Sequence, residues 1–275
     1  MNRYLVLASL ACALAHGTAQ AAAPATSSNS VFLEDLTTNE LKDKITRGCP
    51  VALIFSASTE QTGPHVALGK HIFRARAYGE ALAREIGDAV VAPIIPFAPV
   101  NGLSTALPGS ISLSPENFSR ANEDVARSLL TGGIKRVALL NDHGGAAQTA
   151  LQDLATKLDA EFKPKGARVF FISDGYAKAR LTIEAEIRAA GNVAGGHGGI
   201  WDVSETMAVK ADAVRPDKFR PGNLEKEGNG PLNDEGFSGD PRTSTAALGK
   251  HFGEIRVKAA AAELRAGLTA AGACK

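Results

Sequence analysis

Short apolar runs alternate along the chain with longer segments whose apolar residues recur every three or four positions. The short runs have the length and the Val, Ile, Leu and Phe content of buried strands, and they cover 51–56, 89–96, 136–140 and 168–173. The longer segments have helical spacing and cover 71–86, 115–131 and 147–162. Strands that alternate with helices predict βαβ units, and therefore an α/β fold with a mostly parallel central sheet covered by helices on both faces.

Local signals mark where further helices begin. Thr37 and Glu40 have the spacing of a capping box, which predicts a helix that runs to about Arg47. Ser114 followed by Pro115 is typical of a helix start, because proline is favoured at the first helical position.

The last quarter of the chain changes in character. Helices are predicted from about Asp202 to Ala211 and from Thr245 to Leu268. The segment 215–242 between them is rich in Gly, Pro, Asn and charged residues. A segment of this length and composition is predicted to be a functional loop or a partner-contact segment.

The first 21 residues have the features of a cleavable signal peptide. Arg3 gives a positive start, 4–15 form an apolar core, and 19–21 (Ala-Gln-Ala) fit the small-residue cleavage rule. The apolar core is shorter than the roughly 20 residues that a membrane-spanning helix needs. We therefore expect cleavage after Ala21 and a periplasmic or secreted protein, with a flexible N-terminus over 22–34 and one α/β domain over 35–275.

Composition and charge exclude two classes of partner. The net charge is +1 and the basic residues form no stripe, so the sequence gives no reason to expect nucleic-acid binding. No apolar run after the leader is long enough for a membrane span. Cys49 and Cys274 remain after cleavage, and export permits a disulfide between them, although the sequence does not decide whether they pair.

Four of the six histidines lie in short Gly-rich loops, with acidic residues close by in the sequence. Glycine gives such loops unusual backbone angles and lets the backbone approach a ligand closely. Imidazoles and carboxylates are the side chains that bind Zn²⁺ or Mn²⁺. The histidines are His65, His71, His143 and His197, and the acids are Glu60, Asp142 and Asp202.

Sheet topology predicts that several of these side chains meet. Ligands of open parallel sheets bind outside the carboxyl ends of the strands. Glu60 and His71 follow the 51–56 strand, and Asp142 and His143 follow the 136–140 strand. One loop histidine is better explained as a turn or helix cap, but two histidine-bearing loops at one sheet edge, each with an acid, favour a metal site.

Four blocks of the sequence resemble the creatininase (creatinine amidohydrolase) family, in the family's order and spacing. Residues 59–71, T-E-Q-T-G-P-H-V-A-L-G-K-H, resemble its E-Q-H-G-P-H-L-P-L-G-T-D, and 107–113, L-P-G-S-I-S-L, resemble F-P-G-T-I-S-L. Residues 141–145, N-D-H-G-G, resemble N-G-H-G-G, and 197–204, H-G-G-I-W-D-V-S, resemble H-A-G-x-x-E-T-S. Any one block alone would be weak, but together they are specific.

The resemblance implies a three-layer α/β/α fold and hydrolysis of a C–N amide bond, often in a cyclic amide, with two divalent metals. Carried over by position, the metal ligands are Glu60, His143, His71 in place of the family's aspartate, and Asp202 in place of its glutamate. Two ligand positions are lost, because Thr62 and Gly145 stand where creatininase has a histidine and a carboxylate.

The losses and replacements are consistent with one another. In the family, both missing ligands serve the same metal, and the aspartate at position 71 bridges the pair. If that metal is absent, a bridge has no purpose and a histidine is an acceptable terminal ligand. We therefore expect one divalent metal, Zn²⁺ with Mn²⁺ as the alternative, held by Glu60, His71, His143 and Asp202. The competing interpretation is that the metal-binding and catalytic residues of the family have been lost in this chain.

Two further residues receive catalytic roles. His197 matches the family's catalytic histidine, which exchanges a proton near the metal-activated water. Asp142 either orients a ligand histidine as a hydrogen-bond acceptor or caps the helix that follows it, and the sequence leaves both open.

The leading hypothesis is an amidohydrolase that uses a metal-activated water on a small-molecule amide. A non-catalytic metal- or ligand-binding protein on the same fold is the alternative, and a metal-dependent phosphoesterase is a third. No phosphate-binding loop or dinucleotide fingerprint is present, which disfavours nucleotide-dependent chemistry. The resemblance also implies a homo-oligomer, since family members are often hexamers.

Overall fold

The computed structural model describes residues 29–100, 103–224 and 232–274. The predicted signal peptide and residues 22–28 of the predicted flexible N-terminus lie outside the described residues, as does part of the 215–242 loop. The described part of that N-terminus is packed against the sheet, because Val31 and Phe32 are buried in the core and Phe32 pairs with Val91. Within the described residues, no helix combines the length and the apolar character that crossing a bilayer requires.

A parallel four-stranded sheet lies at the centre of the fold, with the strand order β2-β1-β3-β4. Val51 of β1 pairs with Ala89 of β2 on one side and with Arg136 of β3 on the other, and Arg136 in turn pairs with Arg168 of β4. The strands are β1 (Val51–Ser56), β2 (Ala89–Val91), β3 (Arg136–Asn141) and β4 (Arg168–Phe171).

Eight α-helices surround the sheet in the part of the chain that the structure describes. They are α1 (Thr38–Arg47), α2 (Lys70–Ile86), α3 (Leu103–Ala106), α4 (Pro115–Thr131), α5 (Ala146–Phe162), α6 (Ala177–Ala189), α7 (Ile200–Val209) and α8 (Ala246–Ala271).

Alternate residues of β1 pack against different helices, which creates three layers. Val51, Leu53 and Phe55 belong to a core shared with α2 and α8. Ala52 and Ile54 belong to a core shared with α4 and α5. Every residue of β1 is buried, as expected of a central parallel strand with helices on both faces. The predicted α/β/α arrangement is confirmed.

The helix starts follow the predicted caps. The Thr37 side chain accepts a hydrogen bond from the Glu40 backbone N–H at 3.3 Å, and the Glu40 carboxylate accepts one from the Thr37 N–H at 2.8 Å. Ser114 caps α4 by accepting from the Asn117 N–H at 3.2 Å. Each cap satisfies a backbone donor that the first turn of a helix leaves without a partner.

The largest differences between the predicted and the observed elements concern β2 and α6. The strand predicted over 89–96 ends at Val91, close before Pro93, which has no N–H for a sheet ladder. Helix α6 was not predicted, because its buried face consists mainly of Ala179, Ile183 and Ile187, too few large apolar residues for a clear period.

Cys49 and Cys274 form a disulfide, which settles the pairing that the sequence left open. Their Cα atoms lie 6.1 Å apart, within the usual span of a disulfide. The bond joins the segment before β1 to the C-terminal end of the chain across a sequence separation of 225 residues. Closing so long a loop is expected to stabilise the fold by about 2–5 kcal/mol.

Candidate metal centre

The candidate site lies where the chain leaves the carboxyl ends of β1 and β3. These neighbouring strands form the topological switch point of the sheet, since β2 lies on one side of β1 and β3 on the other. The loop after β1 carries Glu60, the turn after β3 carries Asp142 and His143, and α2 begins beside them with Lys70 and His71. The predicted convergence at one sheet edge is therefore present.

Three side chains offer ligand atoms with the spacing of one metal ion. Glu60 Oε2 lies 3.1 Å from Nε2 of His71 and 3.4 Å from Nε2 of His143. One ligand atom of each residue lies within 4.8 Å of those of the other two. Ligands about 2.0–2.2 Å from a tetrahedral Zn²⁺ are about 3.3–3.6 Å apart, so the group has the right size for one ion.

The hydrogen bonds of His71 leave a place for a cation. Burial, followed by the charge of Lys70, lowers the pKa of His71, so the ring is neutral near pH 7 and carries one N–H. Its Nδ1 lies 2.8 Å from Asp142 Oδ2 and its Nε2 lies 3.1 Å from Glu60 Oε2. One hydrogen cannot serve both carboxylates. With the hydrogen on Nδ1, the Nε2 lone pair faces the Glu60 carboxylate, and a cation between them would satisfy both.

Arg74 also approaches Nδ1 of His71, but the ring hydrogen of His71 remains on that nitrogen. Its Nη2 lies 2.9 Å from His71 Nδ1 and 2.8 Å from Asp142 Oδ2. The hydrogen bond from Arg74 to Asp142 Oδ2 is donated by Nε, at 2.9 Å. The Asp142 oxygen can only accept, and a charged acceptor holds the ring hydrogen of His71 more strongly than a neutral imidazole holds a guanidinium hydrogen, so the ring hydrogen stays on Nδ1.

His143 has a matching arrangement on the other side of Glu60. Its Nδ1 lies 3.1 Å from the Gly144 carbonyl oxygen, which can only accept a hydrogen bond. That contact places the ring hydrogen on Nδ1 and leaves the Nε2 lone pair directed toward Glu60 Oε2.

Glu60 is the anionic member of the group. Burial alone would raise its pKa, but hydrogen bonds that the His143 and His71 rings can donate when no cation lies between them outweigh burial, and the pKa lies well below its usual range. A bound cation would take the place of those hydrogens. The carboxylate is therefore charged throughout the working pH range of a protein. Two imidazoles and one carboxylate match the donor set of catalytic zinc sites.

Asp142 contacts a ligand histidine and does not cap a helix. Its Oδ2 accepts from His71 Nδ1, and Arg256 Nη2 lies 2.5 Å from its Oδ1. Helix α5 begins after Gly145 without a side-chain cap, so the capping alternative is wrong. The charges of Arg256 and Arg74 outweigh the effect of burial and lower the pKa of Asp142. A carboxylate in this position fixes which ring nitrogen of His71 carries the hydrogen.

Asp202, the predicted fourth ligand, lies outside the group of three. Its Oδ2 accepts from Lys70 Nζ at 2.5 Å and from the Gly198 backbone N–H at 2.9 Å, and its Oδ1 accepts from Arg74 Nη1 at 2.6 Å. Although burial opposes it, the charges of Lys70 and Arg74 hold the pKa of Asp202 well below its usual range. Both oxygens already have cationic partners, so in this arrangement the carboxylate anchors Lys70 instead of joining the other ligands.

His197 lies on the wall of the same cleft. Its Nε2 donates to the Gln61 carbonyl oxygen at 2.8 Å, which leaves Nδ1 as the proton acceptor. Burial and the charge of Lys70 lower the pKa of His197 to about 4, so the ring is neutral near pH 7. The cleft has a volume of about 280 Å³, and its lining includes Glu60, Lys70, His71, His143, His197, Trp201 and Asp202.

His65 holds the loop that carries His197. Its Nε2 donates to the Gly198 carbonyl oxygen at 2.8 Å, and its ring packs edge-on against Phe237 with centroids 4.8 Å apart. The ring is fully buried, which identifies His65 as a structural residue of the site.

The two lost ligand positions disfavour the missing side chains for different reasons, a lack of space at Thr62 and the backbone conformation at Gly145. Thr62 is fully buried, and a Cβ on the neighbouring Gly198 would already lie 3.3 Å from its methyl group. Gly145 has φ 64° and ψ −140°, a backbone conformation that is strained for any residue with a side chain. Both positions therefore favour Thr62 and Gly145 over the histidine and the carboxylate of creatininase.

Sequence reasoning missed the buried cations behind the ligands. Arg74 lies one turn after His71 on α2, and Arg256 lies on α8. Both guanidinium groups contact Asp142 and Glu205, with Arg74 Nη1 3.3 Å and Arg256 Nη1 2.9 Å from Glu205 Oε2. The spacing of His71 and Arg74, three positions apart on one helix face, is the signal that could have found Arg74.

Comparisons with known proteins agree with the geometry. A family model described as "Creatininase: Creatinine amidohydrolase" matches residues 34–264. The chain is 25% identical over 218 residues to the mycofactocin precursor peptide peptidase of Mycolicibacterium smegmatis, covering 74% of this chain and 79% of that protein. It is 25% identical over 206 residues to the creatinine amidohydrolase of Pseudomonas putida, covering 70% and 76%.

Solved creatininase structures share the fold. A Zn–Zn form of a creatininase mutant superimposes with a TM-score of 0.72 at 21% identity, and a manganese creatininase with 0.69 at 21% identity. Each comparison covers 87% of this chain and 99% of the other. With a family model that spans most of the sequence and a Glu-His-His group at the predicted sheet edge, this chain is a member of the creatininase family and a creatininase-like metal-dependent amidohydrolase.

Proposed function

We propose that this protein hydrolyses a C–N amide bond of a small molecule with one divalent metal, Zn²⁺ or Mn²⁺, held by Glu60, His71 and His143. The observation that carries the proposal is the convergence of two imidazole nitrogens on one carboxylate oxygen, with His71 oriented by Asp142. Three protein ligands leave a fourth position of a tetrahedral ion for water or substrate, as in catalytic zinc sites.

A bound divalent metal would supply two things: a water of lowered pKa and polarisation of the carbonyl group. His197 would serve as the general base, because its Nδ1 has no hydrogen-bond partner among the described residues and its neutral form dominates above about pH 5. The proton that Nδ1 takes from water can then be given to the leaving nitrogen.

The size of the cleft favours a small substrate. Its volume of about 280 Å³ lies just below the usual range of ligand pockets, about 300–1,000 Å³. Cyclic amides and the end of a short peptide both fit this description. Trp201 in the cleft lining offers an apolar surface to such a molecule.

A single metal is part of the proposal. Thr62 and Gly145 supply no ligand, and the two oxygens of Asp202 are bonded to Lys70 and Arg74. A second divalent ion would need a carboxylate that is not already paired, and the cleft lining described here offers none besides Glu60.

The test is hydrolysis of a panel of cyclic amides and short peptides by protein of measured metal content. Amine release should depend on added Zn²⁺ or Mn²⁺ and should be lost in Glu60→Gln, whereas Glu116→Gln, at an exposed position, should match the wild type. A metal-loaded protein that binds panel compounds without turning any over would favour the non-catalytic alternative. Hydrolysis of a phosphodiester alone would favour the phosphoesterase.

We also propose export and self-association. The disulfide between Cys49 and Cys274 supports export, because such bonds persist in oxidising compartments. N-terminal sequencing of protein from the native host should begin at Ala22, and an N-terminus at Met1 would contradict export. Light scattering coupled to size-exclusion chromatography should give a mass several times that of one chain.

A further inference from the structure

Lys70 is a buried cation on the wall of the cleft. It lies in the first turn of α2, directly before His71, and 1% of its side chain is exposed. Its ammonium group is within hydrogen-bond distance of one acceptor among the described residues, Asp202 Oδ2 at 2.5 Å. An ammonium group has three hydrogens to donate, so Lys70 retains donors that Asp202 does not use.

The contacts of Asp202 hold the Lys70 ammonium group at the wall of the cleft. Arg74 donates to the other oxygen of Asp202, and the Gly198 N–H donates to the oxygen that Lys70 contacts, so the carboxylate is fixed as an anchor for the lysine. Lys70 also lines the same cleft as Glu60, His143 and His197. A buried ammonium with unused donors beside a metal-ligand group is placed to meet an anionic oxygen of a bound molecule.

The charge of Lys70 also acts on neighbouring groups of the candidate site. After burial, the charge of Lys70 is the largest cause that lowers the pKa of His71 and of His197. It also contributes to the low pKa of Glu60. The ammonium therefore acts electrostatically on both the ligand group and the proposed general base.

We propose that Lys70 is a catalytic residue that donates a hydrogen bond to the carbonyl oxygen of the substrate as that oxygen becomes anionic. The role in hydrolysis rests on the proposed function, whereas the ability of Lys70 to bind an anionic oxygen does not. Preorganised donors of this kind are among the largest contributions to acyl transfer.

Hydrolysis consumes one water and releases one acid and one amine. The oxygen of water bonds to the carbonyl carbon while His197 Nδ1 takes one of its protons, and the π electron pair moves onto the carbonyl oxygen. That oxygen accepts a hydrogen bond from Lys70, which keeps all its hydrogens. When the C–N bond breaks, the pair returns to the carbonyl, the nitrogen receives the proton from His197, and an acid and an amine leave.

The test uses methylphosphonate, a tetrahedral anion, and the zinc-loaded full-length protein in calorimetric titrations. Lys70→Met should weaken methylphosphonate binding by about 10- to 100-fold, the value of a hydrogen bond to a charged group. The zinc content should stay at the wild-type level, because Lys70 is not a ligand. The control Lys210→Met changes an exposed lysine that pairs with Asp212 and should leave the affinity unchanged.

A second variant covers the case in which Lys70→Met fails to fold. Lys70→Gln is neutral but can still donate to Asp202, and it should show the same loss of anion binding. For any amide that the wild type hydrolyses, both variants should lower kcat by about 10²–10³-fold with little change in KM.

The outcomes separate this inference from the proposed function. Wild-type affinity for methylphosphonate in a folded Lys70 variant, or no measurable binding by the wild type, would overturn the inference. Lys70-dependent methylphosphonate binding without hydrolysis of any amide would support anion binding by Lys70 and count against the proposed function. Amide hydrolysis that survives both substitutions would support the function and refute the role of Lys70.

Discussion

Asp142→Asn is the change that most sharply tests how the site is built. One oxygen of the carboxylate lies 2.8 Å from His71 Nδ1, and the other forms an ion pair with Arg256 Nη2 at 2.5 Å. The amide that replaces it has one acceptor and one donor end. If its oxygen faces His71, its NH₂ group opposes the Arg256 guanidinium. If its NH₂ group faces His71, it donates to Nδ1 and moves the ring hydrogen to Nε2, where it blocks metal binding.

Both orientations have a cost whose size can be estimated. Loss of an acceptor that orients a metal ligand typically lowers metal affinity about 10- to 100-fold, or about 1.4–2.8 kcal/mol. Removing one partner from a buried ion pair destabilises a protein by about 3–5 kcal/mol. We expect about 3 kcal/mol here, because Arg74 and Arg256 both keep Glu205 as a partner.

The assay is competitive zinc titration against a chromophoric chelator, together with urea unfolding of the metal-free protein. Asp212→Asn is the control, since it removes an exposed carboxylate that pairs with Lys210, and neither quantity should change measurably. A folded Asp142→Asn protein with wild-type zinc affinity would refute the reasoning, because the orientation of His71 would then not depend on Asp142.

Four further predictions follow from the geometry. His197→Ala should keep its zinc but lower kcat by about 10²–10⁴-fold, and equal loss of zinc in elemental analysis would identify His197 as a ligand instead. In the wild type, the pKa of His197 is lowered to about 4, so the neutral base is present above that pH and is lost as the pH falls through it. The kcat of the wild type should therefore persist to about pH 5. A decline of kcat centred near pH 6.5 would contradict the argument that burial lowers the pKa of His197. Cys49→Ser should lower the free energy of unfolding in urea by about 2–5 kcal/mol, to the value of the reduced wild type, and no difference from the oxidised protein would show that the disulfide does not form. Thr62→His combined with Gly145→Glu should destabilise the protein without adding a metal, because Thr62 is buried and Gly145 has a backbone conformation strained for other residues; a second equivalent of zinc would disprove this.

The sequence alone predicts that Glu60, Asp142 and His143 lie at one edge of the sheet, because the ends of buried strands can be recognised from the sequence. A buried parallel strand is a short apolar run, and the polar residues that follow two neighbouring runs must meet at one edge of the sheet. The replacement at position 71 was predicted from the resemblance, and His71 does lie 3.1 Å from Glu60.

The role of Asp202 could not be predicted in the same way. Its partners Lys70 and Arg74 lie on α2, where charged residues of a helix usually face solvent. Their burial depends on α7 and α8 packing over α2, a tertiary arrangement that leaves no periodic signal in the sequence. The pairing of Cys49 with Cys274 is similar, because two residues 225 positions apart meet only when the whole fold is complete.

The most direct test of the account is an anomalous-difference map from a crystal of the zinc-loaded protein. The account predicts one zinc ion per chain, about 2.0–2.2 Å from Glu60, His71 and His143, with Asp202 still bonded to Lys70 and Arg74. Two ions in the cleft, or one ion coordinated by Asp202, would contradict it.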